Sequence, residues 1–197
     1  MECCLDLGLT TFAVLSNGKT ISSPKFLRRA ERKLRKVQQN LSRKAKGSNN
    51  RAKARLRVAK VHAKVRDART DWAHKQSTTI IRDNQAVYVE DLCIVGLART
   101  RLARSVHDAG WGLFLRMLED KATWYGRTFH RMDRFFPSSQ TCSACGAVDG
   151  PKPLSVREWT CACGAVHDRD LNAAKNILAA GRAERLNACG GTISPAA

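Results

Sequence analysis

Four cysteines arranged as two close pairs pose the first chemical question. They read Thr141-Cys142-Ser143-Ala144-Cys145-Gly146 and Thr160-Cys161-Ala162-Cys163-Gly164. Each pair closes on a glycine, which permits the tight turn that aims thiolates inward. Four soft thiolates at this spacing suit a tetrahedral zinc ion, which would hold together a loop too small for a core of its own. The second pair, Cys161-Ala-Cys163, is one residue shorter than Cys-x-x-Cys, and His167 offers an imidazole as an alternative to one thiolate. Three carboxylates form a second candidate set. Asp6 interrupts the apolar run Cys3-Cys4-Leu5-Asp6-Leu7-Gly8-Leu9, Glu90 ends Ala86-Val87-Tyr88-Val89, and Asp170 opens a helix-like run. A carboxylate among residues that want burial must be paired or metal-bound, unless it caps a local turn. Acids gathered at strand ends and helix starts suit a hard divalent cation. Two such ions could activate water and stabilise the leaving oxygen of a phosphodiester.

The charge points to the same class of partner. The 197 residues carry a net charge of +18, which calls for a polyanion, nucleic acid in the first place. From Lys25 to Arg66 there are 17 Lys and Arg against one acid, Glu31. A solvated helix face ordinarily mixes both signs, so this uncompensated stretch predicts phosphate contact. The candidate phosphate-binding residues are Arg28, Arg29, Arg32, Lys33, Arg35, Lys36, Arg43, Lys44, Lys46, Arg51, Lys53, Arg55, Arg57 and Lys60. Such contacts position a strand without reading its sequence. No signal peptide and no membrane-length apolar run is visible. The expectation is a cytoplasmic protein with no membrane partner, whose clustered cysteines mean metal rather than disulfides. Cys3, Cys4 and Cys93 read as small buried apolar residues, and Cys189 has no assigned role.

The elements that must position these groups follow from periodicity. Phe12-Ala-Val-Leu15, closed by Ser16-Asn17-Gly18, reads as the partner strand in a hairpin with an Asn-Gly turn, and a third strand is expected near Ile21. Phe26, Ala30, Leu34, Val37, Leu41 and Ala45 mark one face of a helix, which Gly47-Ser-Asn-Asn50 breaks. Val58, Val61, Val65, Ala68 and Trp72 then form a coiled-coil-like seam, so a helical hairpin is expected over 24–83. Ala86 to Leu92 predicts a strand. Trp111, Phe114, Leu115, Leu118, Ala122 and Tyr125 predict a helix with a core-facing side, ended by Gly126, and Thr128 to Met132 predicts the last strand. The closing helix starts at Asp168 or Asp170, turns Ala173, Ala174, Ile177 and Leu178 inward, and stops at Gly181. Strands alternating with helices make this an α/β protein.

Four blocks carry a resemblance: Leu5-Asp6-Leu7-Gly8-Leu9; Val89-Glu90-Asp91-Leu92; Phe136-Pro137-Ser-Ser-Gln-Thr-Cys142-Ser-Ala-Cys145-Gly; and Asp168-Arg169-Asp170-Leu-Asn172-Ala-Ala-Lys-Asn176-Ile. In content and order they resemble the TnpB (OrfB) family of transposon-encoded proteins, relatives of the type V CRISPR effectors. The resemblance implies an RNase H-like (RuvC-like) nuclease core over 1–136, including the basic hairpin. It further implies a zinc ribbon over 137–167, a last helix over 168–182 and a tail over 183–197. It also implies RNA-guided DNA cleavage with Mg2+ or Mn2+. Asp6, Glu90 and Asp170 match the catalytic, magnesium-binding acids, while Asp168 fits better as a helix cap. Cys142, Cys145, Cys161 and Cys163 match the zinc ligands. The family's N-terminal domains, which hold guide RNA and read a short target-adjacent motif, do not precede the first strand. The expectation is that a separate chain supplies them or that the chain is a catalytic remnant.

Overall fold

In the computed structural model, which describes residues 1–153 and 155–188, a five-stranded mixed sheet carries Asp6 and Glu90. β1 (Glu2–Leu7), β2 (Thr11–Leu15) and β3 (Thr20–Ser22) run antiparallel in succession. The Asn17-Gly18 turn joins β2 to β3, with Gly18 at φ +83°, while the β1–β2 connection passes through Gly8. A Cβ on Gly8 would meet the Thr11 carbonyl oxygen at 2.8 Å. After two helices, α1 (Phe26–Ser42) and α2 (Asn49–Asp83), the chain returns as β4 (Ala86–Glu90), parallel to β1. Two short helices follow, α3 (Ile94–Leu97) and α4 (Ala103–Ala109), which the sequence pattern had not marked. Then come α5 (Trp111–Trp124) and β5 (Thr128–Met132), parallel to β4. The order across the sheet is β3-β2-β1-β4-β5. A small hairpin, β6 (Glu158–Thr160) with β7 (Val166–Asp168), leads into α6 (Arg169–Ala188).

Strand alternation sorts the two faces of the sheet. Cys3, Leu5, Leu7, Val87 and Val89 face one way, into a core with α2 and α5. In that core Phe12 meets Trp72 and Phe114 edge-on, at ring-centroid distances of 4.7 and 4.9 Å. Cys4, Tyr88, Ala86 and Met132 face the other way, against Ala174 and Ile177 of α6. The helix does not stop at Gly181 as expected. A Cβ there would lie 2.2 Å from the Tyr88 ring, so this glycine lets α6 cross the sheet closely, and α6 continues to Ala188. The helix therefore overruns the 182/183 boundary, and Cys189 lies outside the described residues. Tyr125 departs from its expected core place: it is exposed just past the end of α5. Cys93 is likewise exposed, in the loop that leaves β4.

The basic hairpin forms with a tighter break than expected. Ser48 caps α2, its hydroxyl accepting the Arg51 N–H at 3.2 Å, so Asn49 and Asn50 already belong to the helix. Val61 and Val65 are buried in the seam, but Ala68 is exposed. The 35-residue helix changes partners near this point, from α1 to α5, and a helix of 3.6 residues per turn drifts off a strict seven-residue seam. Residues of α1 are nowhere fully buried. Its anchor is a carboxylate from α4. Asp108 accepts the N–H groups of Leu27 and Arg28 at 2.8 and 3.2 Å and pairs with Arg69 of α2 at 3.4 Å. Lys121 of α5 locks the other end of α2, its ammonium donating to His74 O, Ser77 Oγ and Thr78 Oγ1 at 2.6–2.8 Å. Burial pushes the pKa of that ammonium down, and three hydrogen bonds replace its hydration.

Candidate nuclease site and zinc clamp

The register of the parallel strands brings the first two acids together. Leu5 of β1 lies opposite Val89 of β4, so Asp6 and Glu90 stand next in line on neighbouring strands. Both fall in phase with Cys4 and Tyr88, on the face that α6 covers. The N-terminus of α6 supplies the third. Asp168 accepts the Leu171 N–H at 2.8 Å, the cap expected of it, and Asp170 lies in the first turn, where the helix dipole favours negative charge. Asp6 is half-buried. Its carboxyl is pushed up to about 8, first by burial and then by the charges of Glu90 and Asp170, with Arg169 opposing. Glu90 is also raised, by burial and then by Asp91. Arg157 reaches Asp170 at 3.4 Å, a contact that nothing in the sequence pattern indicated. Concentrated negative charge with so little compensation fits a bound cation. The acids remain a loose set: among the described residues, only the four cysteines bring three or more ligand atoms all within 4.8 Å of one another.

The cysteine cluster is tighter. Cys142 Sγ and Cys163 Sγ are 3.8 Å apart, and Cys145 Sγ and Cys161 Sγ 3.7 Å. A tetrahedral zinc ion with bonds of about 2.3 Å needs sulfurs about 3.8 Å apart, so the donor set fits the ion. The shortened second pair still converges, because Gly164 at φ +86° turns its backbone as Gly146 at φ +77° turns the first. His167 stands outside the group of mutually close ligand atoms. Its Nε2 lies 3.0 Å from Cys142 Sγ, as an outer partner, while its ring packs on Trp159 at 4.8 Å. Burial pushes the Cys142 thiol up, but the amides of Cys145 and Ala144 and the His167 ring outweigh it and bring the pKa down to about 6. The Cys163 amide favours the Cys161 thiolate, yet burial and the three neighbouring cysteines push this group up to about 12. A cation at the centre of the cluster would offset the burial and mutual repulsion that oppose the thiolates.

The clamp is tied to the helix that carries Asp170. Asn172 donates to the Thr141 carbonyl at 2.8 Å and accepts the Ser143 N–H at 2.9 Å. Asn176, one turn on, donates to the carbonyls of Ser138 and Thr141 at 2.8 and 2.6 Å. Both amides stand in the block that resembles the family, and their spacing of four was the available signal for a shared helix face.

Nearly all the candidate phosphate-binding residues are solvent-facing. Arg28, Arg29, Arg32, Lys33, Arg35, Lys36, Arg43, Lys46, Lys53, Arg55, Arg57 and Lys60 are exposed along α1, the turn and α2. Among the described residues only Arg35 of this group has an ion pair, with Glu31 at 3.5 Å. Lys44 is half-buried, and Arg51 turns inward to donate to the carbonyls of Leu41 and Lys44 at 3.3 and 2.9 Å. Arg51 thus closes the end of α1. No helix among the described residues is long and apolar enough to cross a membrane.

Comparison with known proteins agrees on one family. Residues 2–101 match the OrfB_IS605 model, described as "Probable transposase", and residues 111–177 match the "Cas12f1-like, TNB domain" model. A protein of Streptomyces pristinaespiralis named "Putative RNA-guided DNA endonuclease" is 53% identical over 192 residues, which are 97% of this chain and 47% of that protein. InsQ of Escherichia coli K12, with the same designation, is 31% identical over 203 residues, covering 94% of this chain and 50% of its own. The chain spans about half the length of the curated relatives it matches. In fold it is similar to a chain of the Cas12f1–sgRNA–target DNA complex solved by cryo-electron microscopy. The TM-score is 0.59 and the identity 18%, over 89% of this chain and 48% of that one. With one family model matching half of the sequence, and a 53%-identical relative aligned over 97% of this chain, the chain belongs to the TnpB (OrfB) family.

Proposed function

We propose that this chain is the catalytic part of an RNA-guided DNA endonuclease: an RNase H-like, RuvC-like core over 1–136 with a basic hairpin over 24–83, and a zinc ribbon over 137–167. One observation carries the reading. Parallel pairing sets Asp6 beside Glu90, and the face they share is covered by the helix whose first turn holds Asp170. These carboxylates would hold magnesium or manganese, which when bound supplies charge to activate water and to stabilise the leaving 3′ oxygen. Asp6, raised toward neutral pH first by burial and then by its acidic neighbours, is the acid whose ionisation depends most on such a cation. Arg157 and Arg169 flank the acids and offer charge to a phosphate at their edge. The exposed cations of α1 and α2 would carry the backbone of DNA or of a guide RNA. The ribbon would fix where α6 starts and therefore where Asp170 points. The names of the relatives support the class of reaction.

Alanine at Asp6, Glu90 or Asp170 is expected to abolish cutting of labelled DNA while leaving nucleic-acid binding within about twofold, because the cationic hairpin lies elsewhere. Undiminished cleavage by all three variants would overturn the assignment. Tight binding without products from the native chain, under any divalent cation, would favour a non-cleaving family member, a reading to which the loose spacing of the acids lends weight.

A further inference from the structure

Two consecutive phenylalanines follow β5 with opposite fates. Phe136 packs with Tyr88, Met132 and Ile177 on the face that α6 covers. Phe135 is 86% exposed, more than any other large apolar side chain of the described residues except the terminal Met1. Its backbone is nevertheless fixed. The Phe135 N–H donates to Asp133 Oδ1 at 2.6 Å, the Phe136 N–H donates to Asp133 O at 3.1 Å, and Arg134 is held by the Asp91 carboxylate. Met132, three residues earlier, is the register partner of Glu90. The ring therefore stands in solvent on an anchored turn, at the strand ends where the carboxylates gather. An aromatic ring held out in water forgoes the burial that ordinarily stabilises it, and a partner with a flat apolar face would restore that burial. The strongly cationic chain selects a polyanion, and nucleobases are the flat apolar surfaces that polyanions bring.

We propose that Phe135 is a stacking platform for an unpaired base of the nucleic-acid strand approaching the carboxylate site. This rests on the nuclease reading for the identity of the strand, and the stacked base must be unpaired, because bases inside a duplex offer no free face. The ring fixes one nucleotide, and the backbone on one side of it is directed toward the acids. Stacking of this kind tolerates any base, so Phe135 positions the strand without selecting its sequence.

The test is binding of a labelled oligothymidylate and of an oligonucleotide of equal length made entirely of abasic units, both without added magnesium or manganese so that nothing is cut. Phe135→Ala is expected to weaken oligothymidylate binding about fivefold to a hundredfold and to leave the abasic strand unchanged, while Phe135→Trp binds both as the native chain does. An equal loss on both strands, or no loss on either, would overturn the proposal. The side chain is exposed, so these variants should fold as the native chain does. Because no cleavage is measured, an inactive chain and a wrong role for Phe135 give different results.

Discussion

At the scale of residues, Asp6 is the most informative group. Its folded carboxyl sits near 8 against an ordinary 3.8, so without a divalent cation the folded state keeps a proton that the unfolded chain releases. Stability should therefore fall as the pH rises from about 4 to about 8. Urea melts without added divalent cation would show a lower midpoint at pH 8 than at pH 5. Asp6→Asn should remove most of that slope and exceed the native chain at pH 8 by about 2–5 kcal/mol; a variant with the native slope would refute this. That Asp6 required a partner was legible in the sequence, because its neighbours Leu5 and Leu7 demand burial. The basic neighbour of the acids was not, since Arg157, which reaches Asp170, lies 13 residues before it in a loop without periodicity. Exposure also escaped prediction. Tyr125 and Cys93 look apolar in sequence, but each sits just outside an element end, where no layer covers it.

At the scale of elements, the ribbon and α6 form one mechanical unit. The Asn172 and Asn176 amides bind the first knuckle, and Arg169 N–H donates to Arg157 O at 2.7 Å, so the cysteine loop and the start of α6 are joined at both ends. Removing zinc with a chelator, or Cys142→Ser, should loosen this junction. The expected outcome is a lower melting temperature, by about 2–4 °C for each kcal/mol lost, together with reduced cutting. Zinc released with neither quantity altered would contradict the coupling. The two cysteine pairs and the cap at Asp168 could be read in advance because their signals are local. Gly181 was misread for the opposite reason. A glycine late in a helical pattern normally marks a stop, and only the Tyr88 ring beneath it shows that close crossing is the need. The seam through Ala68 failed similarly, because the change of partner along α2 is a tertiary event.

At the scale of the molecule, charge and fold divide the labour. The sheet and α6 gather negative charge at one end, and α1 with the first half of α2 presents uncompensated positive charge to solvent. Asp108 holds the two halves in register by capping α1 from α4. Such a surface should bind nucleic acid with an affinity that falls linearly on logarithmic axes as monovalent salt rises, at about 0.7 per phosphate contacted for a single strand. The double change Lys33→Ala with Lys60→Ala is expected to reduce that slope by about 1–2 and to weaken binding uniformly across sequences. An unchanged slope would remove the hairpin from the interface. The alternation of strands and helices and the concentration of charge were both visible in the sequence. The α3–α4 segment was not, because Leu92 to Gly110 mixes arginines and small residues without a repeating face.

The central claim is that Asp6, Glu90 and Asp170 form one divalent-cation site. Its most direct test is a Mn2+ titration followed by electron paramagnetic resonance, on the native chain loaded with zinc beforehand and on Asp6→Asn, Glu90→Gln and Asp170→Asn treated alike. The account predicts saturable binding by the native chain and a loss of about tenfold or more in affinity for each variant. Equal binding by all four proteins would place the cation, if any, elsewhere and contradict the account.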